Sequence, residues 1–254
     1  MLLLVSSIHS KYTNADYDIN VFMPDSEVPI DGFPVIYVLD GLSYYSFARD
    51  TIRLQYINSK KTGIIPAIIV GIGHKKNEMR QRRFIDFTGP AEQLIVPHHA
   101  KGKIPEEYGG AEQFLSFIEN ELKPLVEQKY SINKREQSLF GHSLGGYFAL
   151  WCQFTHPSLF QNYIAISPSV WWNEKELLNM CTTYCMEKKH SNRHTFIGVG
   201  EKEGFMVDDA QEIVKILLSH QHSTEYYVAP EENHASVVPT VISRAFRFVL
   251  TKNQ

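Results

Sequence analysis

The sequence predicts an α/β protein with a single doubly wound, mostly parallel sheet flanked by helices. Its continuous apolar runs, such as residues 35–39 and 67–72, are typical of strands that are buried on both faces of a parallel sheet. From Gln137 onward, strand patterns alternate with helical ones, as in a chain that winds helices over both faces of a sheet. The composition, with 43% hydrophobic and 21% charged residues, excludes a disordered chain.

Hydrophobic spacing and turn signals place the individual elements. The expected strands are 17–22, 35–39, 67–72, 138–140, 162–166, 195–199 and 224–228. The expected helices are 44–57, 114–126, 145–154, 174–186, 207–218 and 237–250. Pro124 interrupts the second of these helices, so we expect a kink or a new helix there. The basic stretch over residues 74–83 and the region up to Gly110 are expected to be irregular.

No repeat, low-complexity tract or linker divides the chain, so residues 1–254 are expected to form one domain. The three cysteines are too few and odd in number for a disulfide framework, and they suggest a reducing compartment. The apolar start at residues 1–5 is too short for a secretory signal, and no uncharged run reaches the ~20 residues of a membrane span. The sequence therefore predicts a cytoplasmic protein. Its net charge of −3 gives no basic footprint for nucleic acid.

The sharpest motif is Gly141-His142-Ser143-Leu144-Gly145, a G-x-S-x-G between a predicted strand and a predicted helix. A strand that turns directly into a helix holds the central serine in a strained backbone conformation, and the glycines leave room for that turn. The turn lifts the serine oxygen above the edge of the sheet. Ser143 is therefore the candidate nucleophile.

A serine hydroxyl is a weak nucleophile until a base takes its proton. After such a turn the partners follow in the order serine, acid, histidine, each behind a later strand. His234 lies between the last predicted strand and the last predicted helix, which makes it the candidate base. The histidines in less suitable positions are His142, His190, His194, His220 and His222.

The acid that partners the histidine should follow the strand at 195–199. Glu203 and Glu201 both lie in the segment after that strand, and Glu203 is our first choice. Asp208 and Asp209 are further along, on the predicted helix. A buried carboxylate would orient the imidazole and stabilise its charged form. The sequence also leaves open that no acid contacts the histidine.

Backbone N–H groups must stabilise the oxyanion that forms in acyl transfer. The N–H of Leu144, directly after the serine, is one candidate donor. The second should come from the loop after the strand at 35–39, where Gly41 lets the backbone approach closely. We expect the N–H of Leu42 to be that donor.

Several segments together resemble a known family. They are Leu39-Asp40-Gly41, Arg83 with Asp86-Phe87-Thr88, residues 141–146, residues 167–173 and Asn233-His234. Nearly the whole chain resembles the esterase D-type esterases, and within them the esterases that hydrolyse siderophore trilactones such as enterobactin and bacillibactin. The resemblance implies an α/β-hydrolase fold and ester hydrolysis through an acyl-enzyme, without a metal or organic cofactor. It also implies Ser143 as nucleophile and His234 as base, although some members work with a serine–histidine pair alone.

Three side chains are candidates for contact with the substrate. Arg83 ends the basic stretch over residues 75–83, which near the mouth of a site would attract an anionic substrate such as a catecholate. A solvated surface is the other interpretation of that stretch. Trp171 and Trp172 follow the strand after the nucleophile, where they would form an aromatic wall or pack in the core.

The sequence thus predicts a serine ester hydrolase that acts on a siderophore trilactone or a related small-molecule ester, with no nucleic acid or membrane as partner. A general short-chain carboxylesterase, similar to S-formylglutathione hydrolases, and an acyltransferase on the same scaffold are alternatives, because fold does not fix substrate. Ser143 and His234 in their expected contexts disfavour a non-catalytic binding protein. No metal site is expected, because helical ligand spacing is lacking at His74, His98 and His99.

Overall fold

The computed structural model describes residues 3–100, 102, 104–187 and 192–251. Strands β1 to β8 are Leu3–Ser10, Ala15–Phe22, Phe33–Leu39, Ile68–His74, Ile132–His142, Asn162–Ile166, His194–Gly200 and Ser223–Ala229. Helices α1 to α9 are Gly41–Tyr56, Ser59–Thr62, Met79–Phe87, Ala111–Phe117, Lys123–Lys129, Leu144–Thr155, Glu176–Glu187, Phe205–Ser219 and Val237–Leu250. All the expected strands and helices are present, and β5 is longer than expected. Residues 1 and 2 of the apolar start lie outside the described residues.

The described strands form one sheet in the order β1-β2-β4-β3-β5-β6-β7-β8. Strand β3 is parallel to β4 and β5, and each strand from β5 to β8 is parallel to the next. Strand β2 is antiparallel to both β1 and β4. Strand β1, which the sequence did not predict, pairs along its length with β2 at one edge. The mostly parallel, doubly wound fold class is confirmed.

The central strand β3 contributes to the core on both faces of the sheet. Val35, Tyr37 and Leu39 pack in a cluster with residues of α4, α6, α7 and α8. Ile36 and Val38 pack in a second cluster with residues of α1 and α9. Because side chains alternate between the two faces of a strand, the unbroken apolar run reflects helices on both sides of the sheet.

Helix α3 lies in the stretch that the sequence predicted to be irregular, so that expectation was wrong for Met79–Phe87. The helix buries Asp86 and Phe87, and Arg82 forms an ion pair with Asp86. Phe84 and Phe87 pack against the core, but the charged contact interrupts the apolar spacing of this helix. Hydrophobic periodicity therefore gave no helical signal. The described residues between 88 and 110, which exclude 101 and 103, are mostly irregular apart from a short 3₁₀ turn at His98–Ala100.

The interruption expected at Pro124 is confirmed as the start of a new helix. Helices α4 and α5 are joined by one π-helical turn, Ile118–Leu122, and Pro124 lies in the first turn of α5. Proline has no N–H, and its ring clashes with the carbonyl four residues before it in a regular helix. The wider π turn accommodates the ring while the chain keeps its helical direction.

The parallel strands end at one edge of the sheet and bring together the loops that follow them. In open α/β sheets, ligands bind outside the carboxyl ends of the strands. The segments that follow the carboxyl ends of β3, β5, β6, β7 and β8 contain, in that order, Gly41, Ser143, Ser167, Glu203 and His234.

Candidate active site

Ser143 lies between β5 and α6 in a strained backbone conformation, with φ 60° and ψ −119°. A Cβ atom on Gly141 would lie 2.0 Å from the carbonyl oxygen of Gly145, and one on Gly146 would lie 2.9 Å from that of Ile166. Glycine at these two positions therefore lets the strand run directly into the helix. The predicted strand–serine–helix turn is confirmed.

The imidazole of His234 lies between Ser143 and Glu203. Its Nε2 is 3.0 Å from Ser143 Oγ, and its Nδ1 is 2.7 Å from Glu203 Oε2. Ser143 follows β5, Glu203 lies in the 3₁₀ turn after β7, and His234 lies between β8 and α9. The structure therefore brings the three residues together in the predicted chain order. In this arrangement a base can take the serine proton while a carboxylate orients that base.

The Glu203 side chain is only 1% exposed. Its Oε1 accepts hydrogen bonds from Ser167 Oγ at 2.6 Å and from the Gly200 N–H at 2.6 Å. Burial opposes ionisation, but hydrogen bonds from His234, Ser167 and Gly200 outweigh it and hold the pKa of Glu203 below its ordinary value. An ionised carboxylate favours a proton on His234 Nδ1, which leaves Nε2 free to accept the proton of Ser143.

The other acids that the sequence offered point elsewhere. Glu201 is exposed, and its Oε2 accepts a hydrogen bond from the Glu231 N–H at 2.9 Å. Asp208 and Asp209 lie on α8, and Asp209 pairs with Lys175 at 2.7 Å. Of these four acids, Glu203 is the one that contacts His234.

The two expected oxyanion donors are both helix N-terminal amides. Leu144 is the first residue of α6 and Leu42 is the second residue of α1, so their N–H groups have no acceptor within their helices. Leu144 directly follows Ser143. A Cβ atom on Gly73 would lie 3.4 Å from the backbone nitrogen of Leu42, and Leu42 is not among the residues that line the pocket at Ser143. The donor role of both residues stays a prediction.

A pocket of about 250 Å³ opens at Ser143. Arg83 lies in its wall, and its Nε donates to Asp40 Oδ1 at 2.8 Å. A guanidinium carries five N–H donors, of which Asp40 takes one in this bond. Asp40 is only 5% exposed, so it fixes the guanidinium from below the surface. The complete lining is Asp40, Ser43, Tyr44, Met79, Arg83, His142, Ser143 and His234.

His142 contacts the candidate base, which the sequence did not predict. Its ring centroid is 4.5 Å from that of His234, and its Nδ1 is 2.8 Å from the Tyr44 hydroxyl. Burial, together with the nearby His234 and Arg83, lowers the pKa of His142 to about 3. His142 is therefore neutral near pH 7 and adds no positive charge beside His234.

Two further serines at the site were missed from the sequence. Ser167 donates to Glu203, and the hydroxyl of Ser169 lies 3.4 Å from that of Ser143. Both follow the carboxyl end of β6. That position was the signal that could have identified them, because ligand sites of parallel sheets gather at this edge.

The basic stretch is partly neutralised by carboxylates. Its ion pairs are Lys75 with Asp18, Arg82 with Asp86 and Arg83 with Asp40. The Arg82 side chain is only 16% exposed. These charges are compensated locally, which weakens the steering of an anionic substrate that the sequence suggested.

The two tryptophans do not line the pocket at Ser143. Trp172 is fully buried and packs against Phe84 and Tyr108. It is therefore a core residue, and the expectation that it contacts the substrate was wrong. Trp171 is half-buried and lines a separate cavity together with Phe205. Its contact with substrate stays a prediction.

The described residues contain no cluster of three histidine, cysteine, aspartate or glutamate side chains arranged to hold a metal ion. His190, one of the histidines weighed as a base, lies outside the described residues. No helix in the described part of the chain has the length and apolar character to span a bilayer.

Residues 10–238 match the family described as "Putative esterase". The ferri-bacillibactin esterase BesA of Bacillus subtilis (strain 168) is 40% identical over 97% of this chain and 89% of that protein. The solved structure of the BES protein from Bacillus cereus has 37% identity and a TM-score of 0.89, covering 98% of this chain and 96% of that one. Siderophore hydrolase EstA from Aspergillus nidulans has 26% identity and a TM-score of 0.85, covering 97% and 93%. The chain therefore belongs to the putative esterase family and is a carboxylic-ester hydrolase.

Proposed function

We propose that this protein is a serine hydrolase that opens the ester bonds of a siderophore trilactone through an acyl-enzyme on Ser143. The observation that carries the proposal is the hydrogen-bonded line from Ser143 Oγ through His234 to Glu203. The names of the similar proteins, a ferri-bacillibactin esterase and a siderophore hydrolase, support the substrate class.

In acylation, Ser143 Oγ attacks the carbonyl carbon of the ester while its proton passes to His234 Nε2, 3.0 Å away. Glu203 holds Nδ1 and stabilises the imidazolium that forms. The N–H groups of Leu144 and Leu42 are the proposed donors to the oxyanion. When the ester C–O bond breaks, the leaving alkoxide takes the proton from His234, and the acyl group stays on Ser143.

Deacylation repeats these steps with water as the nucleophile. His234 takes one proton from water, the hydroxide attacks the acyl carbon, and the bond to Ser143 Oγ breaks. His234 then returns the proton to Ser143. One lactone bond is hydrolysed in each cycle, and the product carries a free carboxylate and a free hydroxyl.

Arg83 is the proposed substrate contact in the pocket wall. Its Nε donates a hydrogen bond to Asp40, which fixes the orientation of the planar guanidinium. The two terminal amino groups can then donate to a carbonyl or phenolate oxygen of the substrate. This contact acts at short range and does not require the neighbouring Arg82, whose charge is taken up by Asp86.

A cytoplasmic location is part of the proposal. The three cysteines, Cys152, Cys181 and Cys185, are free and buried, which is ordinary for a protein that works in a reducing compartment. After cell fractionation, we expect the protein to be found in the same fraction as cytoplasmic marker proteins.

The substrate class is tested by comparing kcat/KM for a catecholate trilactone, a p-nitrophenyl acetate ester and S-formylglutathione. We expect the trilactone to be preferred by at least about tenfold, since a hydrogen bond to the charged Arg83 is worth ~1.5–3 kcal/mol. Arg83→Gln should remove most of that preference. Equal turnover of the trilactone and the acetate ester would leave a general carboxylesterase, and transfer to an added alcohol in place of water would indicate an acyltransferase.

A further inference from the structure

A second cavity of about 470 Å³ lies on the surface formed by the loop at 95–97 and the residues that follow β6 and β7. Most of its wall is apolar, and Ile95 and Phe205 are 47% and 46% exposed. Its lining consists of Ile95, Val96, Pro97, Trp171, Glu174, Lys175, Phe205 and Asp209. Apolar and aromatic side chains with a few polar groups are the usual composition of a small-molecule site.

One wall of the cavity is held by unusual backbone geometry. Asn173, Glu174 and Lys175 are consecutive non-glycine residues with φ angles of 44°, 53° and 59°, a conformation that persists only where the surroundings enforce it. The Glu174 N–H donates to the Ile95 carbonyl at 3.0 Å, and the Ile95 N–H donates to Asn173 Oδ1 at 3.3 Å. These two bonds join the loop wall to the strained wall, so the cavity is preformed.

The cavity begins close to the catalytic residues. Trp171 is two residues after Ser169, whose hydroxyl is 3.4 Å from that of Ser143. Phe205 is two residues after Glu203, which contacts His234. Two residues span at most about 7 Å, so with the 3.4 Å between the two hydroxyls the Trp171 backbone lies at most roughly 13 Å from Ser143 Oγ. An aryl arm on the substrate and the Trp171 side chain together are long enough to span that distance.

The charges around the cavity disfavour an anionic occupant. The lining contains two carboxylates, Glu174 and Asp209, and one ammonium, Lys175, which is 2.7 Å from Asp209. Glu212 lies 3.6 Å from the same ammonium and adds a further negative charge. Two carboxylates against one cation in the lining favour an uncharged ring whose hydroxyl groups donate hydrogen bonds.

We propose that this cavity is an aryl subsite, which binds an uncharged aromatic arm of the ester substrate while the ester lies at Ser143. The proposal rests on the proposed function and deepens it. For a catecholate trilactone, the subsite takes a protonated catechol arm that is not bound to iron. Phe205, Trp171 and Ile95 supply the apolar contacts with the ring.

The test uses methyl esters of serine whose amino group carries an acetyl, a benzoyl or a 4-carboxybenzoyl arm. We expect the wild-type protein to prefer benzoyl over acetyl by about tenfold in kcat/KM, and the added carboxylate to abolish the preference. Phe205→Ala should reduce the benzoyl-to-acetyl ratio by about fivefold, or ~1 kcal/mol. The matched control is Phe47→Ala on α1, because Phe47 is 48% exposed and lines neither cavity; the ratio should not change.

A wild-type ratio near one, or equal turnover of the benzoyl and 4-carboxybenzoyl esters, would overturn the aryl subsite. So would a Phe205→Ala variant that slows the acetyl and benzoyl esters by the same factor, since the ratio would then be unchanged. Hydrolysis of the acetyl ester that requires Ser143 would persist in all these cases. Failure of the subsite is therefore distinguishable from failure of the proposed function.

Discussion

Glu201 and Glu203 are separated by one residue in the same 3₁₀ turn, yet their surroundings differ completely. Glu203 is enclosed and accepts hydrogen bonds from Ser167 and Gly200 while it contacts His234. Glu201 is exposed and caps the Glu231 N–H. A substitution that removes the negative charge without removing the side chain should therefore greatly reduce activity at Glu203 and hardly affect it at Glu201.

We expect Glu203→Gln to lower kcat by roughly 10²–10⁴-fold, because an amide cannot stabilise the imidazolium and can hold His234 in the wrong tautomer. Glu201→Gln, the matched control, should stay within about twofold of wild type. Steady-state kinetics on a p-nitrophenyl ester measure both. Wild-type activity in Glu203→Gln would show that a serine–histidine pair is sufficient.

The acid side of the pH profile should report a single ionisation. The pKa of His142 is lowered to about 3 by burial and by its neighbours His234 and Arg83, and Glu203 stays ionised below its ordinary pKa. The acid limb of kcat/KM reports the group that must be unprotonated to act as the general base. We expect log kcat/KM to fall toward acid pH with a limiting slope of one. A slope of two would mean that His142 titrates in the same range.

For individual residues, the sequence was sufficient to identify those candidates whose role depends on their position in the chain. Ser143 and His234 follow from a glycine-flanked turn and from the order of the strands. His142 and Ser167 act through contacts across the sheet edge, which no local pattern encodes. The choice between Glu203 and Glu201 depends on which carboxylate the 3₁₀ turn directs inward, and this too required the structure.

Helix α3 carries Arg83 to the pocket and is attached to the sheet by a buried polar network. Asp86 is fully buried, accepts a hydrogen bond from Tyr17 at 2.7 Å, lies 3.0 Å from His74 Nε2 and pairs with Arg82. Tyr17 belongs to β2 and His74 to β4. The network therefore fixes the helix against two strands.

We expect Asp86→Asn to lower the free energy of unfolding by about 3 kcal/mol, because Arg82 would keep a largely buried charge without its partner. The matched control is Asp50→Asn, since Asp50 is 45% exposed and pairs with Arg49 at the surface; its cost should stay below ~1 kcal/mol. Urea denaturation followed by fluorescence compares the two. Equal losses would show that the network does not anchor α3.

The elements found from the sequence are those whose buried faces are apolar. Helix α9 was predicted with its observed bounds because its apolar residues recur at helical spacing. Helix α3 was missed because the charged Asp86, paired with Arg82, occupies part of its buried face. Strand β1 was missed because its residues show little alternation of apolar and polar side chains. It lies at the edge of the sheet and is held there by its pairing with β2.

On the scale of the whole molecule, one continuous sheet runs through the described residues, and helices of both faces pack on it. We propose that the chain is a single domain and expect one cooperative unfolding transition. In calorimetry the van't Hoff and calorimetric enthalpies should agree. Two resolved transitions would contradict the single domain.

The proposed reaction begins when Ser143, activated by His234, attacks an ester of a siderophore trilactone. Labelling with a fluorophosphonate, with and without excess trilactone, followed by peptide mapping tests it most directly. We expect one adduct on Ser143, absent in Ser143→Ala, that forms more slowly while the trilactone is present. An adduct on a different serine, or labelling of Ser143 at an unchanged rate in excess trilactone, would contradict it.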